Sequence, residues 1–283
     1  MKSGFVAVVG RTSVGKSTLV NKLVGSKVSI VARSSNTTRN VIRGIINGPD
    51  YQIVLQDTPG LHRSHNEMGS RLNNTAIATV KDFPDAVMLV TDAYNGVGSG
   101  DVKLAQLLPK DTIVVLNKTD KLSNPQITSQ LVQATEKLGF LTEAEFIPVS
   151  GRSGYNLDRL TNILKDKIPI GERFFATDTV TDLIDEFRVA EIVREQVLRE
   201  LKQDLPQHLA CRVIEFKPPF YRCDIVVDKE SHKPIILGKN GSRLGQIRRA
   251  ASYKIGKGTV LELHVKVDKT WSTYPERFGY LQM

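Results

Sequence analysis

Residues 10–17 read Gly-Arg-Thr-Ser-Val-Gly-Lys-Ser: a glycine, four residues, then Gly-Lys-Ser. An apolar run over residues 4–9 precedes this stretch, and residues 16–24 have helical spacing. Strand, glycine-rich turn and helix in that order make a phosphate cradle. The glycines let the backbone curl so that its N–H groups point inward, and the helix N-terminus adds the positive end of its dipole. Lys16 then offers a mobile charge to β- and γ-phosphates, and the Ser17 hydroxyl is sized to ligate Mg2+. The expected phosphate-binding residues are Gly10, Arg11, Thr12, Ser13, Val14, Gly15, Lys16, Ser17 and Thr18.

Further stretches select the nucleotide. Asp57-Thr58-Pro59-Gly60 closes an apolar run and is followed by Leu61. A carboxylate there can hold a Mg2+-bound water, and the Gly60 N–H can reach a γ-phosphate. Asn117-Lys118-Thr119-Asp120 ends another apolar run, on the ligand side expected of a parallel sheet. An aspartate beyond such a strand accepts two hydrogen bonds from the N1–H and 2-amino group of guanine. Adenine offers neither donor there, so GTP and GDP are favoured over ATP; hydrogen bonds of this kind discriminate by roughly 10⁴ or more. Ser150-Gly151 follows one more apolar run, where a backbone N–H can meet guanine O6. Thr37-Thr38-Arg39 supplies a hydroxyl that can complete a Mg2+ shell only when a γ-phosphate is present. Thr38 is favoured and Thr37 is the alternative. The catalytic candidates are Lys16, Thr38 and Gly60, and the metal ligands Ser17, Thr38 and Asp57.

The elements that must position these residues are legible in outline. Apolar runs at 41–47, 51–56, 86–91, 112–116 and 145–149 alternate with amphipathic or polar segments at 66–82, 99–108, 125–138 and 155–167. That alternation predicts an α/β domain with a largely parallel sheet. The short connection Asn47-Gly48-Pro49-Asp50 predicts a hairpin instead, joining antiparallel neighbours. Residues 171–182 lack periodicity and read as a linker between a domain at 1–170 and one at 183–283. The second domain reads as a helix over 183–203 with Ile184, Phe187, Val189, Ile192, Val193, Val197 and Leu201 on one face. Strands at 209–216 and 221–227, helices at 233–237 and 242–254, and a strand at 259–267 follow.

The 283 residues hold 39 Lys and Arg against 30 Asp and Glu, a net charge of +9. The pI near 9.5 favours a polyanionic partner. The two cysteines, Cys211 and Cys223, lack metal-ligand spacing and are expected as buried strand residues. No secretory signal and no run of about 18 apolar residues is present, so a cytoplasmic location is expected.

In order, GRTSVGKST, NTTRN, DTPGLH, NKTD and SGRSG, then TDLIDEFRVAEIVRE, KPIILGKNGSRLGQI and LHVKVDKTW, resemble the Era family of translation-associated GTPases over almost the whole chain. The resemblance implies a Ras-like P-loop GTPase domain followed by a smaller α+β type II KH domain, an RNA-binding module. It implies binding to small-subunit ribosomal RNA near its 3′ end, a role in small ribosomal subunit maturation, and for some members peripheral contact with the inner membrane. A monomer is expected. The family often has Pro-Asn where this chain has Thr12-Ser13. In related GTPases that asparagine helps hold K+, so Ser13 leaves potassium activation open. Leu61 stands where Ras-like enzymes carry a water-orienting glutamine. Intrinsic hydrolysis is therefore expected to be slow, with His62 read as a solvent-exposed neighbour.

A second glycine turn, Gly238-Lys239-Asn240-Gly241, lacks the spacer needed to wrap a triphosphate. Between two helical segments, a Gly-x-x-Gly turn brings backbones close enough to clamp the sugar-phosphate of about four single-stranded nucleotides. Arg243 joins it as an RNA-binding candidate. From Lys229 onward there are eleven Lys and Arg against four Asp and Glu, a net +7. Trp271 and Tyr274 are read as core caps rather than base-stacking platforms. Two rival functions are an RNA chaperone with a purely structural nucleotide and a membrane-associated regulatory GTPase. The Thr38 and Asp57–Gly60 elements argue against the first, and the Gly-x-x-Gly turn against the second.

Overall fold

The computed structural model describes residues 1–32, 37–62, 67–201 and 208–273. The chain divides into two units. The first comprises Met1–Ser29 with Thr38–Asp182, and the second Ile30–Thr37 with Leu183–Met283.

The first unit is built on a six-stranded sheet in the order β2-β3-β1-β4-β5-β6. Its strands are β1 (Lys2–Val9), β2 (Ile42–Asn47), β3 (Tyr51–Asp57), β4 (Ala86–Asp92), β5 (Ile113–Asn117) and β6 (Glu145–Pro148). All seven residues of β4 are buried, as a central strand covered on both faces requires. Only β2 runs antiparallel to its neighbour, joined to β3 through the 48–50 hairpin. The helices are α1 (Lys16–Val24), α2 (Glu67–Lys81), α3 (Ser99–Ala105), α4 (Asn124–Lys137) and α5 (Leu157–Lys167). Helix α4 starts with Pro125 in its first turn, and the Ser123 N–H donates to the Gln126 side chain at 2.9 Å, a capping arrangement.

Residues 171–182 run beside β2 and β3. The Ile45 N–H donates to the Val180 carbonyl at 2.9 Å. The fully buried Gln52 accepts from the N–H groups of Phe174 and Phe175 at 2.8 and 3.0 Å. The Thr181 hydroxyl donates to the Arg43 carbonyl, and the Arg43 guanidinium meets Asp182 at 2.6 Å.

The second unit has helix α6 (Asp185–Glu200), strands β7 (Leu209–Lys217) and β8 (Phe220–Val227), helices α7 (Lys233–Leu237) and α8 (Ser242–Ile255), and strand β9 (Val260–Val267). β7 pairs antiparallel with β8, and β8 parallel with β9. Val189, Val193 and Val197 of α6, Ile247 and Ala251 of α8, Cys211 and Cys223 share one core, and Ile30 belongs to it. Burial pushes the Cys223 thiol up to about 12, so it is inert. Ile184 is exposed because it caps α6 rather than lying on its apolar face. Trp271 is buried, a core residue as expected, and Tyr274 lies outside the described residues.

Candidate functional site

The turn from β1 to α1 holds Gly10–Lys16. At Gly10 the backbone passes so close to β4 that an added Cβ would meet the Val90 carbonyl oxygen at 2.3 Å. Helix α1 has no acidic residue in its first turn, so the positive end of its dipole is not neutralised locally. The Lys16 ammonium is buried and donates to the carbonyls of Gly10 and Arg11 at 3.1 and 3.0 Å. Burial lowers its pKa to about 8, against the pull of the Asp57 charge. Arg11 is directed to Asp101 of α3, at 3.4 Å.

Asp57 ends β3 beside the phosphate turn and is fully buried, with neither carboxylate oxygen in a well-formed hydrogen bond. Burial holds its carboxyl above the usual carboxylate range, opposed by the Lys16 charge and by the nearby hydroxyls of Ser17, Ser29 and Thr38. The Ser17 and Thr38 hydroxyls lie 2.9 Å apart. It is thus Thr38 rather than Thr37 that the structure brings to Ser17. A buried, under-coordinated carboxylate beside two hydroxyl oxygens is the hard, all-oxygen donor set that Mg2+ prefers, so these residues fit the ion.

The stretch after β3 is stitched to the phosphate turn. The Thr58 hydroxyl donates to the Val8 carbonyl at 2.8 Å. The Leu61 N–H donates to Gly10, and the Thr12 N–H to the Leu61 carbonyl, each at 3.1 Å. A Cβ on Gly60 would meet the Thr12 Cα at 2.7 Å, so only glycine lets Pro59-Gly60 pass this close. The Leu61 side chain packs against the apolar core. His62 is half-buried rather than exposed: its ring Nδ1 lies 3.2 Å from the Gly60 carbonyl, and its backbone is bracketed by Asn73 of α2. No local pattern signals this contact, because Asn73 is eleven residues away.

At the end of β5, Asn117 acts as a staple. Its amide donates to the Val14 carbonyl at 2.9 Å, and its carbonyl accepts from the Gly151 N–H at 2.9 Å. Lys118, in left-handed backbone, donates to the Ser13 carbonyl at 2.6 Å and to Asp92 at 2.8 Å. Burial opposes ionisation of Asp92, yet the Lys118 ammonium and Asn95 hold its carboxyl below the usual range. Asp92 was missed from sequence; its signal is its place at the end of β4, adjacent to Asn117 in register. The Thr119 N–H donates to Val149, and the Ser150 hydroxyl donates to Asp120 at 2.7 Å. Asp120 is exposed. The structure therefore gathers 10–18, Thr38, 57–61, 117–120 and 150–151 in one unit, with Asp120 and Ser150 adjacent and Asn117 tying them to the phosphate turn.

In the second unit, Gly238–Gly241 joins α7 to α8. Gly238, Asn240 and Gly241 all have left-handed φ, at 71°, 51° and 73°. A Cβ on Gly238 would meet that of Arg243 at 2.7 Å. Lys239 and Asn240 are exposed. The Arg243 guanidinium folds back to donate to the Ile235 carbonyl, closing the turn. Helix α8 has no acid in its first turn, which suits its N-terminus to phosphate.

A phosphate turn with these strand-end motifs, and a separate Gly-x-x-Gly turn between helices, define a P-loop GTPase joined to a KH-type unit. A family model described as a 50S ribosome-binding GTPase matches residues 5–118, and one described as a KH domain matches residues 205–272. The GTPase Era of Mycobacterium sp. strain JLS is 38% identical over 296 aligned residues, covering 99% of this chain and 98% of that protein. The GTPase Era of Clostridium beijerinckii is 36% identical, covering 95% and 93%. Among solved structures, Aquifex aeolicus Era bound to GDP·AlF4− superposes with a TM-score of 0.93 at 34% identity, covering both chains completely. Era in complex with MgGDPNP and nucleotides 1506–1542 of 16S ribosomal RNA gives 0.92 at 35%, again covering both completely. The chain belongs to the Era family of GTPases.

Proposed function

We propose that this GTPase binds GTP and GDP with Mg2+ in its first unit, hydrolyses GTP slowly, and uses the Gly238–Gly241 turn of its second unit to hold the 3′ end of small-subunit ribosomal RNA. Through that contact it assists rRNA maturation and small-subunit assembly. The observation that carries the nucleotide half is Asp57, a buried carboxylate without a well-formed hydrogen bond beside Lys16, Ser17 and Thr38. The Era complex with 16S rRNA nucleotides supports the RNA half.

Mg2+, held by Ser17, Thr38 and Asp57, would supply charge neutralisation at the β- and γ-phosphate oxygens. Lys16 exchanges its two backbone carbonyls for those oxygens. The backbone N–H groups of the 10–17 turn and of Gly60 orient the phosphates. Asp120 accepts from guanine, oriented by Ser150, while Asn117 and Lys118 hold the base site against the phosphate turn. Leu61 supplies no proton acceptor, so catalysis rests on positioning and electrostatics. Arg243 shapes the RNA turn, and Lys239 meets the phosphate backbone.

No helix among the described residues is long and apolar enough to cross a membrane. A monomer in the cytoplasm, with a peripheral inner-membrane fraction, completes the reading on family resemblance. The test is titration of a single-stranded ribosomal 3′-end oligonucleotide in GTP-analogue and GDP states, with Lys239→Asp/Asn240→Asp as comparison. The double variant should lose RNA and keep GTP. Normal RNA binding with loss of GTP would merge the two turns into one nucleotide site and end the division of labour.

A further inference from the structure

Helix α8 leaves the Gly238–Gly241 turn and runs from Ser242 to Ile255. At about 100° per residue, Leu244, Ile247, Ala251 and Ile255 fall on one side of it. Ile247 and Ala251 are fully buried there, with Leu244 and Ile255 packed beside them. Ser242, Gln246, Arg249 and Tyr253 fall within about 60° of one another on the opposite side, and all four are exposed. Burying the core face thus fixes what the outer face presents: an amide, a guanidinium and a phenol ring, in line with the turn. Tyr253 is 89% exposed, a ring that the packing of the unit does not use.

The charge around this face is of one sign. Between Glu230 and Glu262 the sequence holds seven Lys and Arg and no Asp or Glu. Two of the seven are committed inside the unit: Arg243 donates to the Ile235 carbonyl, and Lys254 pairs with Glu195 at 3.0 Å. Arg248 and Arg249 are exposed and form no ion pair among the described residues. Like charges gathered without counter-charge repel one another, and a polyanion relieves that repulsion. Gly245 points the same way. Glycine is a poor helix former, and a Cβ here would make only an ordinary contact, 3.6 Å from Arg249 Nη1. The fold does not require glycine at 245, whereas close approach of a ligand backbone favours it. The same distance places the Arg249 guanidinium back along the helix over Gly245, toward the Gly238–Gly241 turn, as helical side chains lean.

We propose that the outer face of α8 is a second RNA subsite adjoining the turn: Arg249 neutralises a phosphate and Tyr253 stacks on an unpaired base. The occupant is single-stranded RNA continuing from the turn, because a duplex keeps its base faces covered. The proposal rests on the reading of the Gly238–Gly241 turn as an RNA clamp.

The experiment measures fluorescence anisotropy of the full chain with a labelled single strand of about 12 nucleotides from the ribosomal 3′ end. Tyr253→Ser should weaken binding about tenfold and Tyr253→Phe less than about twofold, since stacking needs the ring and not the hydroxyl. Bases are then removed from the strand one at a time. One position should cost the unaltered protein about the same tenfold and cost Tyr253→Ser nothing more, because both changes delete one contact. Arg249→Gln should reduce the log–log salt slope by about 0.7, the share of one phosphate on a single strand. Each altered side chain is exposed, and thermal melting followed by circular dichroism checks that the unit stays folded. If Tyr253→Ser and Arg249→Gln bind RNA and respond to salt as the unaltered protein does, while Lys239→Asp/Asn240→Asp loses RNA, this proposal falls and the turn keeps its role. A loss in Tyr253→Phe as large as in Tyr253→Ser overturns stacking. Unchanged RNA binding with loss of binding to phosphatidylglycerol vesicles in Arg249→Gln would assign the face to a lipid surface instead. Normal RNA binding by Lys239→Asp/Asn240→Asp ends the reading of the turn, and this proposal with it.

Discussion

At the residue scale, Asp120 and Lys16 make the sharpest predictions. Asp120→Asn exchanges an acceptor for an amide that can donate. GTP affinity should fall by at least about 100-fold, two charged hydrogen bonds being lost. Xanthosine triphosphate, which presents an oxygen in place of the 2-amino group, should be preferred instead; a competition titration shows whether it is. Lys16 makes a pH prediction. Burial sets its pKa in the free protein at about 8, against 10.5 when unfolded. Below pH 8 the folded protein bears the full penalty of a buried ammonium. Between 8 and 10.5 the unfolded chain binds more protons, so this group's contribution to stability rises with pH. Nucleotide phosphates need the charged form, so GDP affinity should fall over the same window, opposite in sign. Calorimetry in buffers of different ionisation enthalpy should show proton uptake on GDP binding growing from near zero at pH 7 to about half a proton at pH 8. No uptake would mean that Lys16 keeps its proton in the free protein.

At the element scale, the stretch after β3 is tied to the phosphate turn by backbone, through Leu61 with Gly10 and Thr12. Leu61→Ala preserves both bonds and removes only core packing. Hydrolysis should change less than about threefold while thermal stability drops by about 1–2 kcal/mol. A rate loss beyond tenfold would show that the leucine packing itself sets the loop. Most of this architecture was legible in the sequence. Strand-helix alternation gave the first sheet, the short 47–50 connection gave its antiparallel edge, and the motif spacing singled out residues that the structure gathers around the 10–17 turn. What escaped has a physical cause. Periodicity records which face of α6 is apolar, not what covers the other face. Glu191, Arg194 and Glu195 look like a solvated stripe, whereas Val31 and Thr37, more than 150 residues away, cover it. Residues 171–182 lack periodicity because their bonds go to β2 and β3 through backbone carbonyls and to Gln52, not through a repeating apolar face. His62 is held by Asn73 and Asp92 holds Lys118, contacts that pair spacing within a segment does not encode.

At the scale of the whole molecule, the charge is unevenly spread: the stretch from Lys229 onward carries a net +7 of the total +9. Oligonucleotide affinity should fall with salt at a log–log slope of roughly −3, four to five phosphates being neutralised on a single strand at about −0.7 each. GDP affinity should be far less salt-dependent, since its phosphates are held largely by backbone N–H groups. A slope near zero for RNA would leave the basic C-terminal stretch without an electrostatic role. The strip at 171–182 has a further consequence, for solubility. β2 is an edge strand, and an uncovered edge is a template on which another chain can add. Val180 occupies the Ile45 N–H on that edge, and Arg43 is turned to Asp182 and Thr181. A fragment ending at residue 170 keeps every described strand and helix of the first unit but bares this edge and strips the buried Gln52 of its bonds to Phe174 and Phe175. One ending at 182 keeps the edge covered. Light scattering at equal concentration should show the shorter fragment self-associating and the longer one remaining dispersed, which makes the apparent connector the guard of the first unit against its own copies.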